Sequence, residues 1–167
     1  SGTGTINSKK GNVHVFDSRS AGGEIDLLIY KAVELIQSSL SFEETLEKLT
    51  TYHSATTVSF LLDSVDNLVK NGRVNKLLGQ MIGLLGIKLV GKRSLEGTIE
   101  LAHKAKGTKR AMKLMFQEMQ NQGYKGGRVV IAHVLNQQTA ENYSKVISAT
   151  FPQAEIIIEA CSALCSY

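Results

Sequence analysis

Apolar residues recur along this chain with two periods, and the points where one period gives way to the other mark its elements. Residues 13–18, VHVFDS, alternate apolar and polar as a strand does. Asp17-Ser18 closes that run where a strand yields either to a functional loop or to the cap of the next helix. After Gly22-Gly23, Leu28, Ala32, Leu35 and Ile36 fall at helical spacing. Ser41 with Glu44 three residues later is a capping-box signature, and Phe42, Leu46 and Leu49 then share one face of a second helix. The next strand, VSFLL at 58–62, ends like the first in Asp-Ser, at Asp63-Ser64. Two such pairs put short polar groups at one edge of a sheet, where open α/β sheets bind ligands. Helix capping accounts for them equally well.

The stretch 57–91 carries the densest signal. Its strand VSFLL and the run IKLV bracket a helical segment broken at Asn71-Gly72, with Arg73 at the break and Asn75 placed to cap a second helix over 76–85. In that second helix Leu77, Leu78, Met81, Ile82, Leu84 and Leu85 leave little polar face. Gly79, Gly83 and Gly86 each cost roughly 1 kcal/mol against alanine in a helix, and they let another backbone or a ligand come close. A tightly packed core helix and a ligand-lining wall both fit this pattern. IKLVGK (87–92) and TIELAHK (98–104), joined by RSLEG, then read as an antiparallel hairpin. Its far end is basic, with Lys104, Lys106, Lys109, Arg110 and Lys113 running into a helix over 108–122 striped by Ala111, Leu114, Met115 and Met119. RVVIAHV (128–134) is a continuous apolar run and reads as a buried strand ending at His133. A helix over 136–151 is stopped by Pro152, and AEIII begins the last strand. The expected fold is therefore α/β, a mixed β-sheet with helices packed on it.

Composition narrows the class. The chain has 167 residues, 43% of them hydrophobic, which suits one domain or slightly more with a sizeable core. A net charge of +4 permits an anionic partner without requiring one, while 6% aromatic content and no Trp leave little material for stacking on bases. No apolar run has the length of a membrane span and no N-terminal signal is present, so the expectation is a soluble, cytoplasmic protein. Cys161 and Cys165 lack two further ligands at zinc spacing, since His14, His53, His103 and His133 are scattered singly. Two buried thiols in a reducing compartment, with no metal and no disulfide, is the expected reading. The opening SGTGTINSKKGN reads as a loop, and the tail EACSALCSY has no terminating signal; both ends read as cut from something longer. No Walker loop, dinucleotide fingerprint, metal motif or GxSxG elbow is present.

The order of motifs goes further. VHVFDSRSAGGE, LLDSVDNLVKNGRVNK, GLLGIKL, HKAKGTKRAM, VVIAHVLN and FPQAEIII follow one another as in the DegV family, and the resemblance covers nearly the whole chain. It implies a two-domain α/β protein that holds a long-chain fatty acid between its domains, that in some members presents it to a fatty-acid kinase, and that performs no chemistry on it. Residues 1–12 would then be the end of a missing N-terminal domain and linker, and 13–167 a C-terminal α/β domain. Ser1 matches the family's SGT serine, which bonds the acyl carboxylate. Arg73 matches the arginine of its GGR motif, near the tunnel and the kinase encounter. On this reading Leu78 and Ile82, on the glycine-notched helix, contact the acyl chain. Asn71 replaces the first glycine of that motif and Leu89 the usual proline after its lysine. The family's histidine-containing tail segment would fall at 160–167, which reads ACSALCSY. The bound fatty acid is the implied ligand, with no cofactor, metal, nucleic acid or membrane span. Two other classes are a phosphotransfer module related to dihydroxyacetone kinase domains, with His133 or His14 as phosphate acceptor, and a basic nucleic-acid-binding module using residues 104–113.

Overall fold

A computed structural model describes residues 4–8, 11–64, 86–94 and 99–161. The chain divides into two compact units, Ser1–Thr56 and Thr57–Tyr167.

The first unit opens with an antiparallel hairpin, β1 (Gly4–Ser8) on β2 (Gly11–Val15), in which Gly4 faces Val15 and Ser8 faces Gly11. The expected opening loop is thus a strand. Small polar residues give no apolar alternation to read, but their backbone groups satisfy one another across the hairpin. β2 also stops at Val15, leaving Phe16, Asp17 and Ser18 in the following turn. Helix α1 (Gly23–Gln37) starts from Gly22, whose φ of 71° suits glycine, and has no side-chain cap. It buries Glu24, Leu28 and Leu35. Helix α2 (Phe42–Ala55) carries the predicted capping box: the Glu44 N–H donates to Ser41 Oγ at 3.2 Å, and the Ser41 N–H donates to Glu44 Oε2 at 2.9 Å. The bond from the Ser41 backbone holds the Glu44 carboxyl below its ordinary value. That contribution is present above the unfolded-state pKa and fades as pH falls through the folded one.

In the second unit, β3 (Ser59–Leu62), β4 (Ile87–Arg93) and β5 (Ile99–Lys106) form an antiparallel sheet in that order. The predicted hairpin is β4–β5, with Ile87 opposite Lys106 and a bulge between Val90 and Gly91. Helix α3 (Thr108–Asn121) packs on all three strands. β6 (Arg128–His133) and β7 (Glu155–Ala160) pair in parallel, joined by α4 (Gln137–Thr150). Parallel and antiparallel pairing are both present, as the expected mixed α/β fold requires. Among the described residues the strands fall into three hydrogen-bonded groups rather than one continuous sheet. β6, expected to be buried, is half-buried with Ala132 exposed; among the described residues it has one strand partner, β7, with α4 packed on it.

The core of this unit gathers Val90, Ala105, Ala111, Met112, Met115, Met119, Tyr143 and Ile147. Tyr143 Oη lies 3.7 Å from Met119 Sδ. Burial, and secondarily Tyr124, pushes the Tyr143 phenol well above its ordinary range. The unfolded chain loses this proton from about pH 10, while the folded chain keeps it. The unfolded state then binds fewer protons, so stability falls as pH rises. Tyr143→Phe is expected to flatten the decline in urea midpoint between about pH 9.5 and 11.5; an unchanged slope would place the alkaline sensitivity elsewhere.

Candidate functional site

Ser1, Arg73, Leu78 and Ile82, the residues singled out in the sequence, all lie outside the described residues, as does Cys165. The structure does define the place from which residues 65–85 depart and to which they return. β3 runs out at Leu62 beside Leu89 of β4, so the two flanking strands are held side by side. Lys88 Nζ meets Asp63 Oδ1 at 2.8 Å across this mouth. Asp63 is more than half exposed, which limits such a pair to under about 1 kcal/mol. β5 ends at the same place, and the Gly107 N–H donates to the Gly86 carbonyl at 3.1 Å, anchoring the start of α3 there.

One end of the sheet therefore collects the mouth of the 65–85 segment, the end of β5 and the N-terminus of α3. It also collects charge. Lys104, Lys106, Lys109, Arg110 and Lys113 are all exposed. The first turn of α3 holds no acidic residue and its Gly107 cap supplies no side-chain bond. Cations there oppose the helix dipole, at about 0.3–1 kcal/mol each. Lys109→Glu, exchanging an unfavourable charge for a favourable one, is expected to raise the melting temperature by roughly 2–4 °C. A fall in differential scanning fluorimetry would show that Lys109 contributes to folding in some other way.

Two further polar clusters are structural. Glu118, only 7% exposed, sits on α3 with Lys92 Nζ at 3.4 Å, His103 Nε2 at 3.3 Å and Gln122 Nε2 at 3.5 Å; Gln122 also donates to Ser59 Oγ at 3.1 Å. The carboxylate thereby ties the helix to β4 and β5, and Gln122 ties the end of the helix to β3. Sequence reasoning missed it, although Glu118 stands seven residues after Ala111 on the apolar stripe and is the sole acid of the helix. In the first unit, His53 Nε2 lies 3.0 Å from the Ser18 carbonyl and 3.6 Å from buried Glu24, with its ring edge-on to Phe16. The Arg19 N–H donates to Asp17 Oδ1 at 3.2 Å. Asp17 thus shapes the turn after β2 and does not cap α1.

His133, the proposed phosphate acceptor of the alternative reading, accepts the Asn136 N–H at Nδ1 (3.3 Å), and its Nε2 is 2.6 Å from Gln137 Oε1. With Nδ1 accepting, Nε2 carries the proton and donates. Both ring nitrogens are engaged, and neither offers a free lone pair. His14 packs toward Phe16 with ring centroids 6.3 Å apart. Cys161 is half-buried rather than buried, and its N–H donates to the His133 carbonyl at 2.8 Å. Among the described residues no cluster of three His, Cys, Asp or Glu could hold a metal, and no helix is long and apolar enough to cross a membrane.

A family model described as an uncharacterised protein of the DegV family matches residues 4–167. A DegV domain-containing protein of Streptococcus pneumoniae is 49% identical over 155 residues, covering 93% of this chain and 55% of the relative. One from Streptococcus pyogenes serotype M1 is 48% identical over 156 residues, covering 93% and 56%. Among solved structures, the chain is similar to the Streptococcus pneumoniae Fatty Acid Kinase (Fak) B3 protein loaded with linoleic acid, at 50% identity and a TM-score of 0.86 over 92% of this chain and 54% of that one. It is also similar to a DegV family protein from Eubacterium eligens loaded with heptadecanoic acid, at 29% identity and a TM-score of 0.86 over 92% and 55%. The chain spans about half the length of the relatives it matches.

Proposed function

The chain belongs to the DegV family, and from that premise we propose that it is about half of a long-chain fatty-acid carrier that passes its acyl group to a kinase partner. The observation that carries this reading is the 50% identity and shared fold with a protein loaded with linoleic acid. Physical chemistry supports it. Burying some sixteen methylenes at about 0.8 kcal/mol each provides ample affinity, so one or two polar groups suffice to fix the head. In this proposal Ser1 holds the carboxylate, Arg73 faces the partner, and Leu78 and Ile82 line the acyl chain. Residues 1–12 are the end of a preceding domain and 13–167 a C-terminal domain. The protein works in the cytoplasm, needs no cofactor or metal, binds no nucleic acid and leaves the chemistry to its partner. The phosphotransfer reading is the weaker one, because His133 has both ring nitrogens committed to hydrogen bonds.

Native mass spectrometry of the full-length protein is expected to reveal a co-purified fatty acid, and an empty protein that also fails to take up oleic acid would overturn the reading. Arg73→Ala in that protein is expected to shift the melting temperature by no more than a few degrees, as exposed substitutions change stability by under about 0.5 kcal/mol, while impairing acyl phosphorylation by the kinase. A large stability loss with phosphorylation intact would make Arg73 a helix-capping residue.

A further inference from the structure

Helix α1 is apolar over more of its surface than the unit around it covers. Leu28 and Leu35 are buried, whereas Ile25, Ile29, Val33 and Ile36, spaced to share a neighbouring face, are 37%, 55%, 47% and 69% exposed. At about 100° per residue these four and Ala32 join the buried pair in one apolar arc roughly 160° wide, broader than the ~100° stripe of a helix with a single buried face. Only the edge of that arc carrying Leu28 and Leu35 is buried. The unit has little else to put against the rest. Among its described side chains Glu24, Leu28 and Leu35 alone are buried, and α2 buries none. A unit as short as Ser1–Thr56 forms a marginal core at best by itself.

The chemistry of the stripe decides what fits it. Its four side chains are all β-branched and therefore stiff, which suits a fixed packing partner better than a fluid one. The helix carries Glu24, Asp26 and Glu34 against a single base, Lys31, whose Nζ lies 3.1 Å from Glu34. Helices that settle on an anionic bilayer present lysine and arginine beside their apolar face, so α1 has the wrong charge for one. Its pattern is that of a helix held between two layers of one core. The unit supplies one of those layers. Length for the other exists in the relatives, of which this chain spans about half.

We infer that the stripe formed by Ile25, Ile29, Val33 and Ile36 is covered in the full-length protein by the chain that precedes Ser1, and that this contact completes the core of the first unit. The inference rests on the domain placement proposed above and is independent of the fatty acid. The test uses the full-length protein with Cys161→Ser and Cys165→Ser, into which Ile29→Cys, Val33→Cys or, as an exposed control on α2, Glu47→Cys is introduced. Maleimide labelling of the first two under native conditions is expected to be at least about 100-fold slower than that of the control. A photo-crosslinking p-benzoylphenylalanine in place of Ile36, in the last turn of the helix where bulk is tolerated, is expected to join peptides that precede Ser1; this measurement stands even if a cysteine variant does not fold. Labelling of all three positions at one rate in the folded monomer overturns the inference. Protection lost on dilution, with crosslinks to a second copy, overturns it in favour of self-association, and crosslinks into residues 57–167 overturn it in favour of a contact within this chain. Protection that arises only on loading with oleic acid makes the acyl chain the cover and overturns it as well. Failure to bind oleic acid with protection intact removes the carrier reading and leaves this inference standing.

Discussion

Gly91→Ala is expected to lower the melting temperature of the Thr57–Tyr167 unit by roughly 10–15 °C, corresponding to about 3 kcal/mol. Gly91 sits beside the β5 bulge at Ala102, opposite Phe60 of β3 and paired with Leu101 of β5. A Cβ there would run into the far edge of the Phe60 ring and lie 2.8 Å from the Glu100 carbonyl oxygen. The ring can turn aside at a modest cost. The carbonyl belongs to the β5 backbone beside the bulge and cannot move without disturbing the ladder, which puts the change at the severe end of overpacking effects. Phe60→Leu in the Gly91→Ala background should therefore recover only part of the loss. Thermal unfolding by circular dichroism measures both variants; a shift under 2 °C for Gly91→Ala would mean that the strands separate there readily.

Ile147→Ala is expected to cost about 3–4 kcal/mol, within the 2–5 found for deleting buried isoleucine side chains. Ile147 is wholly inaccessible to solvent and belongs to the cluster that joins α4 to the α3 side of the core. Its neighbours come from different elements, so the space left behind cannot be closed by shifting one side chain. Ile147→Val, which removes a single methyl group, should cost only about 0.5–1.5 kcal/mol. Urea denaturation of the two variants distinguishes a graded core from a pliable one, for equal losses would mean that the site collapses around either residue.

The elements that periodicity made legible are those whose pattern follows directly from which side is covered. The capping box at Ser41, the hairpin of IKLVGK with TIELAHK, and the helices beginning near Thr108 and Gln137 all have local causes, and all are present. β1 was not legible because its residues carry no apolar face; pairing of backbone groups alone makes it a strand. In β2 the alternation was visible but its sense was not: Val13 and Val15 are each 53% exposed, while His14 and Phe16 are half-buried. The grouping of strands was also beyond a one-dimensional pattern, since β6 reads the same whether one neighbour covers it or two. At the candidate site, the run of cations could be seen in the sequence. Its gathering with the ends of β3 and β4 could not, because that depends on the register Leu62–Leu89 and Ile87–Lys106.

The pairing of β3 with β4 also sets an order of events in folding. Five residues, 94–98, separate β4 from β5, whereas residues 63–86 separate β3 from β4. Closing the longer connection costs about 1.4 kcal/mol more in chain entropy, by the (3/2)RT ln n dependence on length. The β4–β5 hairpin and the helix that follows it are short-range and form early. β3, whose partner lies so much farther along the chain, joins after them, completing the sheet only once its other two strands and α3 offer a surface to dock on. The mouth through which the Arg73 segment leaves the sheet is accordingly among the last parts of this unit to close and among the first to open.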